Sequence, residues 1–297
     1  MRCIIMVGGW TGKILRVNLT AGTCHTEEVP EAWRRDYIGG RGLAAKYLYE
    51  EMDPTVDAFS PENKLIFATG PLTGTSTSTN SRYMVVTKGA LTGAITTSNS
   101  GGHWAAELKY AGYDMVIIEG KAAKPVYLFI YDDMVEIRSA EHLWGKTVSE
   151  TEDLIREEVG VPDLHVAGIG PAGENLVRFA CIINDKHRAA GRSGVGAVMG
   201  SKHLKAIAVR GTQAVSVARP QEFLQADWAM KKAMLENEGR KGLTAGGTIP
   251  TMDLTQAFAG LPTRNFASGQ FEHADDINGV ALEASRLVRN KACYGCT

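Results

Sequence analysis

A unit of glycine-rich turn, helix, apolar strand and glycine occurs twice, which limits the fold to one that can hold two like halves. Ser100-Gly101-Gly102 leads into a helical stretch, then into the strand Met115-Val116-Ile117-Ile118-Glu119 and Gly120. Ser193-Gly194-Val195-Gly196 leads through a short helix-like stretch into Ala206-Ile207-Ala208-Val209-Arg210 and Gly211. Each copy covers about 20 residues. Chance recurrence is one reading, because α+β domains reuse such units. The other is a duplicated half-domain with pseudo-twofold symmetry, whose surface suits a roughly twofold ligand.

Periodicity fills in the rest. Residues 13–19 read as a strand, turned by Thr20-Ala21-Gly22 towards a second near 27–29. Further strands are expected at 65–68, 83–87, 115–119, 126–131, 135–138, 165–168, 177–183 and 206–210. Helical spacing marks residues 41–52, 103–111 and 148–159, the last with a capping region at 149–152. So few helices among so many strands predict an α+β fold, not a regular βαβ array. After Gly211 the pattern turns mostly helical, with helices at 220–239 and 281–289 and a glycine-rich link at 242–247. Two domains follow: a duplicated, β-rich domain at 1–211 and the start of a mostly α-helical domain at 212–297.

Charge and composition exclude several classes. Lys and Arg total 32 against 33 Asp and Glu, so no basic field favours nucleic acid or an anionic membrane. Any anion must be held locally. The apolar run at residues 1–7 is too short for a signal peptide, and no apolar stretch of about 18 residues exists to span a bilayer. Five cysteines, unevenly placed, do not make a disulfide framework. The cytoplasm is the expected compartment.

Four segments combine glycine, hydroxyl and arginine: residues 39–42, 70–82, 98–102 and 187–194. Glycine lets backbone N–H groups approach a ligand closely, a helix start after Gly102 adds a positive dipole end, and arginine matches phosphate oxygens. Together they describe a pocket for a phosphorylated cofactor. Gly168-Ile169-Gly170-Pro171-Ala172-Gly173 matches a dinucleotide fingerprint, but residues 175–180 read on as strand, so that motif is set aside. His25, His142, His165, His203 and His273 read as isolated surface or packing residues; His103 and His187 lie beside the glycine-rich segments. No nucleophile pairing is evident. At the end of the chain, Cys293-Tyr294-Gly295-Cys296 offers two thiolates with cluster or metal spacing. A [4Fe–4S] cluster takes four, and Cys3, Cys24 and Cys181 are scattered, so the missing ligands are expected beyond Thr297.

These residues resemble the N-terminal half of the tungsten-containing aldehyde ferredoxin oxidoreductase family. The resemblance rests on residues 14–19, 60–65, 70–75, 99–102, 112–114 and 170–175. Above all it rests on residues 187–202, which read His-Arg-Ala-Ala-Gly-Arg-Ser-Gly-Val-Gly-Ala-Val-Met-Gly-Ser-Lys. It runs from about Gly9 to the C-terminus. It implies an internally duplicated β-rich base on which two pyranopterins share one tungsten or molybdenum atom. By similarity, Arg82 lies between pterin and cluster, and Asn99 and Ala189 offer backbone carbonyls to a magnesium ion bridging the two pterin phosphates. Gly101, Arg188 and Gly191 contact pterin or phosphate, and Cys293 and Cys296 are the first two [4Fe–4S] ligands.

The implied activity is oxidation of a small aldehyde to a carboxylate, with electrons leaving through the cluster to ferredoxin. The family's catalytic acids and histidines come from later domains, so none is assigned. The chain by itself is expected to be incomplete and inactive, joined to a C-terminal portion, a second chain or a homodimer partner. Sugar-phosphate aldehydes and aryl-CoA esters are the alternative substrates within the family. A non-catalytic fragment or split subunit that only binds pterin is the alternative in another class.

Overall fold

The computed structural model describes residues 8–296; the apolar run at 1–7, Cys3 and Thr297 lie outside the described residues. Its first compact unit runs to Pro220 and includes Cys293–Gly295. The first half of this unit holds β1 (Lys13–Asn18), β2 (Thr23–Glu28), α1 (Glu31–Tyr37), α2 (Gly40–Glu51), β3 (Leu65–Ala68), β4 (Tyr83–Lys88), β5 (Ile95–Ser100), α3 (Trp104–Tyr110) and β6 (Met115–Glu119). The second half holds β7 (Val126–Tyr131), β8 (Met134–Ser139), α4 (Val148–Val159), β9 (His165–Gly168), α5 (Pro171–Glu174), β10 (Ile182–Asn184), β11 (Arg188–Ala190), α6 (Val195–Ser201) and β12 (Leu204–Arg210).

Each half folds into one six-stranded sheet, and the two sheets share a topology. Their orders are β2-β1-β6-β3-β4-β5 and β8-β7-β12-β9-β10-β11. In each, the first strand runs parallel to the last, and every other neighbour is antiparallel. The duplication therefore extends well beyond the turn–helix–strand unit read from sequence, to the whole half. Its β-rich α+β character is as expected.

The side-chain alternation of the strands explains the layers. Ile14, Ile66, Ala68, Met115 and Ile117 face Leu43, Ala44, Tyr47 and Leu48 of α2. Tyr127, Phe129, Val166, Ala206 and Ala208 form the matching outer cluster with Ile155 of α4. The opposite faces, with Leu15, Phe67, Val116 and Ile118 from one sheet and Leu128, Ile130, Ile207 and Val209 from the other, meet in one shared core. Helices α3 and α6 are buried in that core, α6 along its whole length. Each fully buried Leu, Ile or Phe there contributes about 1.5–3 kcal/mol.

Several local expectations need correction. Residues 177–181 are turn, not strand, and only Ile182 onwards pairs. The fingerprint glycines do open a helix, contrary to the reading that set them aside, but α5 is a single turn and β10 returns antiparallel to β9. A dinucleotide site needs a long helix and a parallel crossover, so the exclusion stands on a different reason. Thr147, not residues 149–152, caps α4, in a reciprocal capping box with Glu150.

The second unit covers Gln221–Ala292 and is helical: α7 (Pro220–Glu236), α8 (Gly239–Gly246), α9 (Thr251–Ala257), α10 (Ala274–Ile277) and α11 (Gly279–Arg286). The expected glycine link at 242–247 is mostly helix α8, which ends at Gly247 with φ of 60°. No helix among the described residues is long and apolar enough to cross a membrane.

Candidate cofactor-binding site

β5 and β11 are matching edge strands, each with a single ladder neighbour. An edge strand presents alternate backbone groups away from its sheet. The register makes the match residue by residue: Tyr83 opposes Ser100 at the end of β5, and Ile182 opposes Ala190 at the end of β11. Asn99 and Ala189 are thus equivalent, next to last in their strands, and Gly101 and Gly191 are the first residues after them. The two edges meet where the Arg192 N–H donates to Ser98 Oγ at 3.0 Å. Sequence reading treated both segments as glycine loops, because ITTSNS and RAA carry no apolar alternation.

Around β5, the exposed Arg82 donates from Nη1 to Asn99 Oδ1. Ala189 and Gly191 are exposed, and a Cβ on Gly191 would meet only Ala189 Cβ, at 3.8 Å. Arg188 is half-buried in β11 opposite Asn184. The 70–82 loop ties itself: Asn80 Nδ2 donates to the carbonyls of Thr75 at 2.9 Å and Thr77 at 2.7 Å. Gly39 differs from the expectation of a ligand loop. A Cβ there would lie 3.0 Å from the Thr69 carbonyl, so it serves close packing of α2 on the Thr69–Gly70 backbone.

The Gly101-Gly102 turn is fixed by two residues that sequence reading passed over. Asn184 uses its whole hydrogen-bonding capacity. Its Oδ1 accepts from Tyr83 at 3.0 Å and Ser100 at 2.7 Å, and its Nδ2 donates to the Gly101 carbonyl at 2.8 Å and to Asp185 at 2.9 Å. Asp185 Oδ2 accepts the His103 N–H at 2.7 Å, and Oδ1 accepts from His165 Nδ1 at 2.5 Å. Burial opposes ionisation of Asp185, but the bonds from His165, His103 and Asn184 outweigh it and hold the carboxyl at about 2. Gly102 has φ of 95°, and a Cβ there would lie 2.1 Å from Asp185 Oδ2, so only glycine fits.

Cys293 comes back onto this turn. Its Sγ lies 2.8 Å from where a Gly101 Cβ would stand. The Tyr294 N–H donates to the Gly102 carbonyl at 3.1 Å, and the Gly295 carbonyl accepts from Thr79 N–H at 2.8 Å and Ser78 Oγ at 3.1 Å. The Tyr294 hydroxyl lies 2.7 Å from that of Tyr110, which donates to the Gly74 carbonyl at 2.8 Å. Burial, then the bond to Tyr294, pushes the Tyr110 phenol up, so it stays a donor. Arg82, Asn99, Gly101 and Cys293 are therefore gathered around β5. Ala189 and Gly191 occupy the equivalent positions on β11, and Cys296 is exposed. Cys24, Cys181, Cys293 and Cys296 are free thiols.

Two family profiles match consecutive parts of the chain: "Aldehyde ferredoxin oxidoreductase, N-terminal domain" over residues 14–211, and "domains 2 & 3" of the same family over residues 225–297. The chain belongs to the aldehyde ferredoxin oxidoreductase family. It is 54% identical over 292 residues to the tungsten-containing aldehyde ferredoxin oxidoreductase of Pyrococcus abyssi, covering 98% of this chain and 48% of that protein. It is 40% identical to an aliphatic sulfonate oxidoreductase, WOR-like subunit, of Pyrococcus furiosus, covering 97% of this chain and 48% of the other. Among solved structures, the active site complex BamBC of benzoyl coenzyme A reductase, in complex with 1,5 dienoyl-CoA, superposes with a TM-score of 0.85. Identity there is 35%, over 98% of this chain and 46% of that one. The chain spans about half the length of the relatives it matches.

Proposed function

We propose that this chain is the tungstopterin-binding portion of an oxidoreductase that converts aldehydes to carboxylates and passes electrons through a [4Fe–4S] cluster to ferredoxin. The observation that carries it is the matched pair of turns after β5 and β11, one of which holds the Cys293 sulfur against Gly101. Two like edge turns suit a cofactor made of two like pterins. The open space over Gly191 and the exposed edge at Ala189 fit a ligand lying on the backbone. In this reading the backbone carbonyls of Asn99 and Ala189 would hold a magnesium ion. Gly101, Gly191 and Arg188 bind pterin or phosphate, and Arg82 lies between pterin and cluster, oriented through Asn99. Cys293 and Cys296 supply two cluster thiolates. When bound, the cofactor would supply two-electron redox chemistry at tungsten or molybdenum and the cluster would carry electrons one at a time. The remaining cluster ligands and any proton-transferring groups belong to a further portion or partner chain. The cytoplasm is the proposed compartment.

A second reading keeps the cofactor and changes the substrate to a sugar-phosphate aldehyde or an aryl-CoA ester. The likeness to a benzoyl coenzyme A reductase complex favours keeping it in view. Elemental analysis of the chain, and of a version extended to the length of its relatives, tests the cofactor. Tungsten or molybdenum with iron in the extended version supports the proposal, and absence of both heavy metals sinks it. Arg82→Ala in that version should cut metal loading or turnover by roughly tenfold or more. Unchanged metal content together with unchanged turnover would refute the role given to Arg82.

A further inference from the structure

His103, His165 and Asp185 take no part in the cofactor contacts above, yet they stand together. Each offers a ligand atom, and these atoms all lie within 4.8 Å of one another. The cluster bridges the duplication: His103 precedes α3 in the first half, whereas His165 opens β9 and Asp185 follows β10 in the second. It is also sheltered, with side-chain exposure of 18% for His165 and 4% for Asp185.

The carboxylate is already aimed. Oδ2 is held by the His103 N–H and by Asn184 Nδ2, which leaves Oδ1 facing the imidazole of His165. Outer partners of this kind orient the ligands of protein metal sites. The two imidazole centroids are 5.4 Å apart. Imidazoles bound to one tetrahedral ion at about 2.1 Å have centroids roughly 5 Å apart. Two imidazoles and one carboxylate are borderline donors suited to zinc, ferrous iron or cobalt; magnesium and calcium prefer oxygen alone.

We propose that His103, His165 and Asp185 bind one divalent ion of the zinc and ferrous class, with water completing the coordination. The hydrogen bond between His165 Nδ1 and Asp185 Oδ1 is the metal-free form of the site. On binding, the ion takes the place of the proton between these atoms, the imidazole stays neutral by carrying its proton on Nε2, and Asp185 Oδ1 turns from accepting that bond to ligating the ion. The ion then pins the two halves together directly behind the Gly101-Gly102 turn. This site takes none of its ligands from the cluster cysteines or from the proposed pterin contacts, so its test does not depend on the proposed cofactor.

Cobalt(II) is the probe, because its visible spectrum reports ligand type. The test uses the full chain with Cys293→Ser and Cys296→Ser, which removes the thiolate pair as a competitor. The expected result is one cobalt per chain, a visible ligand-field band without the charge-transfer band of thiolate ligation, and displacement by zinc. His165→Gln and, separately, His103→Phe should each weaken binding by at least ~10-fold, with circular dichroism of the metal-free variants unchanged. Two histidine variants keep the test decisive should one fail to fold. Failure of this double-serine chain to retain cobalt overturns the proposal. So does an affinity and spectrum indifferent to the folded histidine variants.

Discussion

Gly101 carries no side chain, and the Cys293 sulfur occupies the space one would take. A methyl group added there meets sulfur at 2.8 Å, well inside contact, so the cysteine segment would have to retreat from the turn. In an extended, metal-loaded version of the protein, Gly101→Ala should lower bound iron by roughly tenfold or more. Elemental analysis and the cluster's EPR signal check this, with circular dichroism as the fold control; unchanged iron and an unchanged signal would count against the contact. Gly101 was legible in sequence as a backbone-approach glycine, and the resemblance named it as a pterin contact. Its sulfur neighbour was not legible, because nothing local ties residue 101 to residue 293. Asn184 and Asp185 were passed over for a related reason. An Asn-Asp pair before a turn reads as ordinary turn chemistry, and most of the groups that give it meaning come from the other half of the duplication.

Elements that lacked a pattern were the ones sequence reading missed or blurred. Helix α6 is buried along its whole length, so VGAVMGS has no polar face to mark it. β5 and β11 are short polar edges whose partners, not propensities, make them strands. By contrast, β3, β6, β7 and β12 are apolar runs covered on both faces, and their positions follow directly from composition. The small residues of α6 have a packing reason: a Cβ on Gly200 would lie 2.0 Å from the Gly173 carbonyl at α5, and one on Gly196 would lie 2.4 Å from that of Cys181. Backbone atoms in a packed core cannot step aside cheaply. Gly200→Ala, although it raises helix propensity, should therefore destabilise the chain by about 3 kcal/mol, at the upper end of overpacking costs. A denaturant melt decides it, since an unchanged or raised midpoint would show that α5 and α6 do not meet as described.

At the scale of the whole first unit, the question is what keeps two like halves in one arrangement, and Lys202 gives part of the answer. It follows α6 in the second half and is fully buried. Its ammonium donates to three carbonyls of the first half: Pro61 at 3.2 Å, Gly120 at 3.1 Å and Asn63. Burial pushes Lys202 down to about 7, against the attraction of Glu119. The sign of the pH effect follows from proton counts. Between about 7 and the ordinary lysine value near 10.4, the unfolded chain binds this proton and the folded chain does not, so stability contributed by this group rises with pH across that window. Below about pH 7 both states are charged and the contribution is flat. Lys202→Met removes the titration and leaves three buried carbonyls without their donor, a loss of about 3 kcal/mol or more. Urea unfolding at pH 7 and pH 9.5 separates the two effects. The wild-type chain should gain stability relative to the variant on going to the higher pH, while the variant remains the weaker at both. If the difference between the two proteins does not change with pH, Lys202 does not lose its proton in this interval. If the variant is as stable as the wild type, the three carbonyls are satisfied without it and the tie between the halves lies elsewhere.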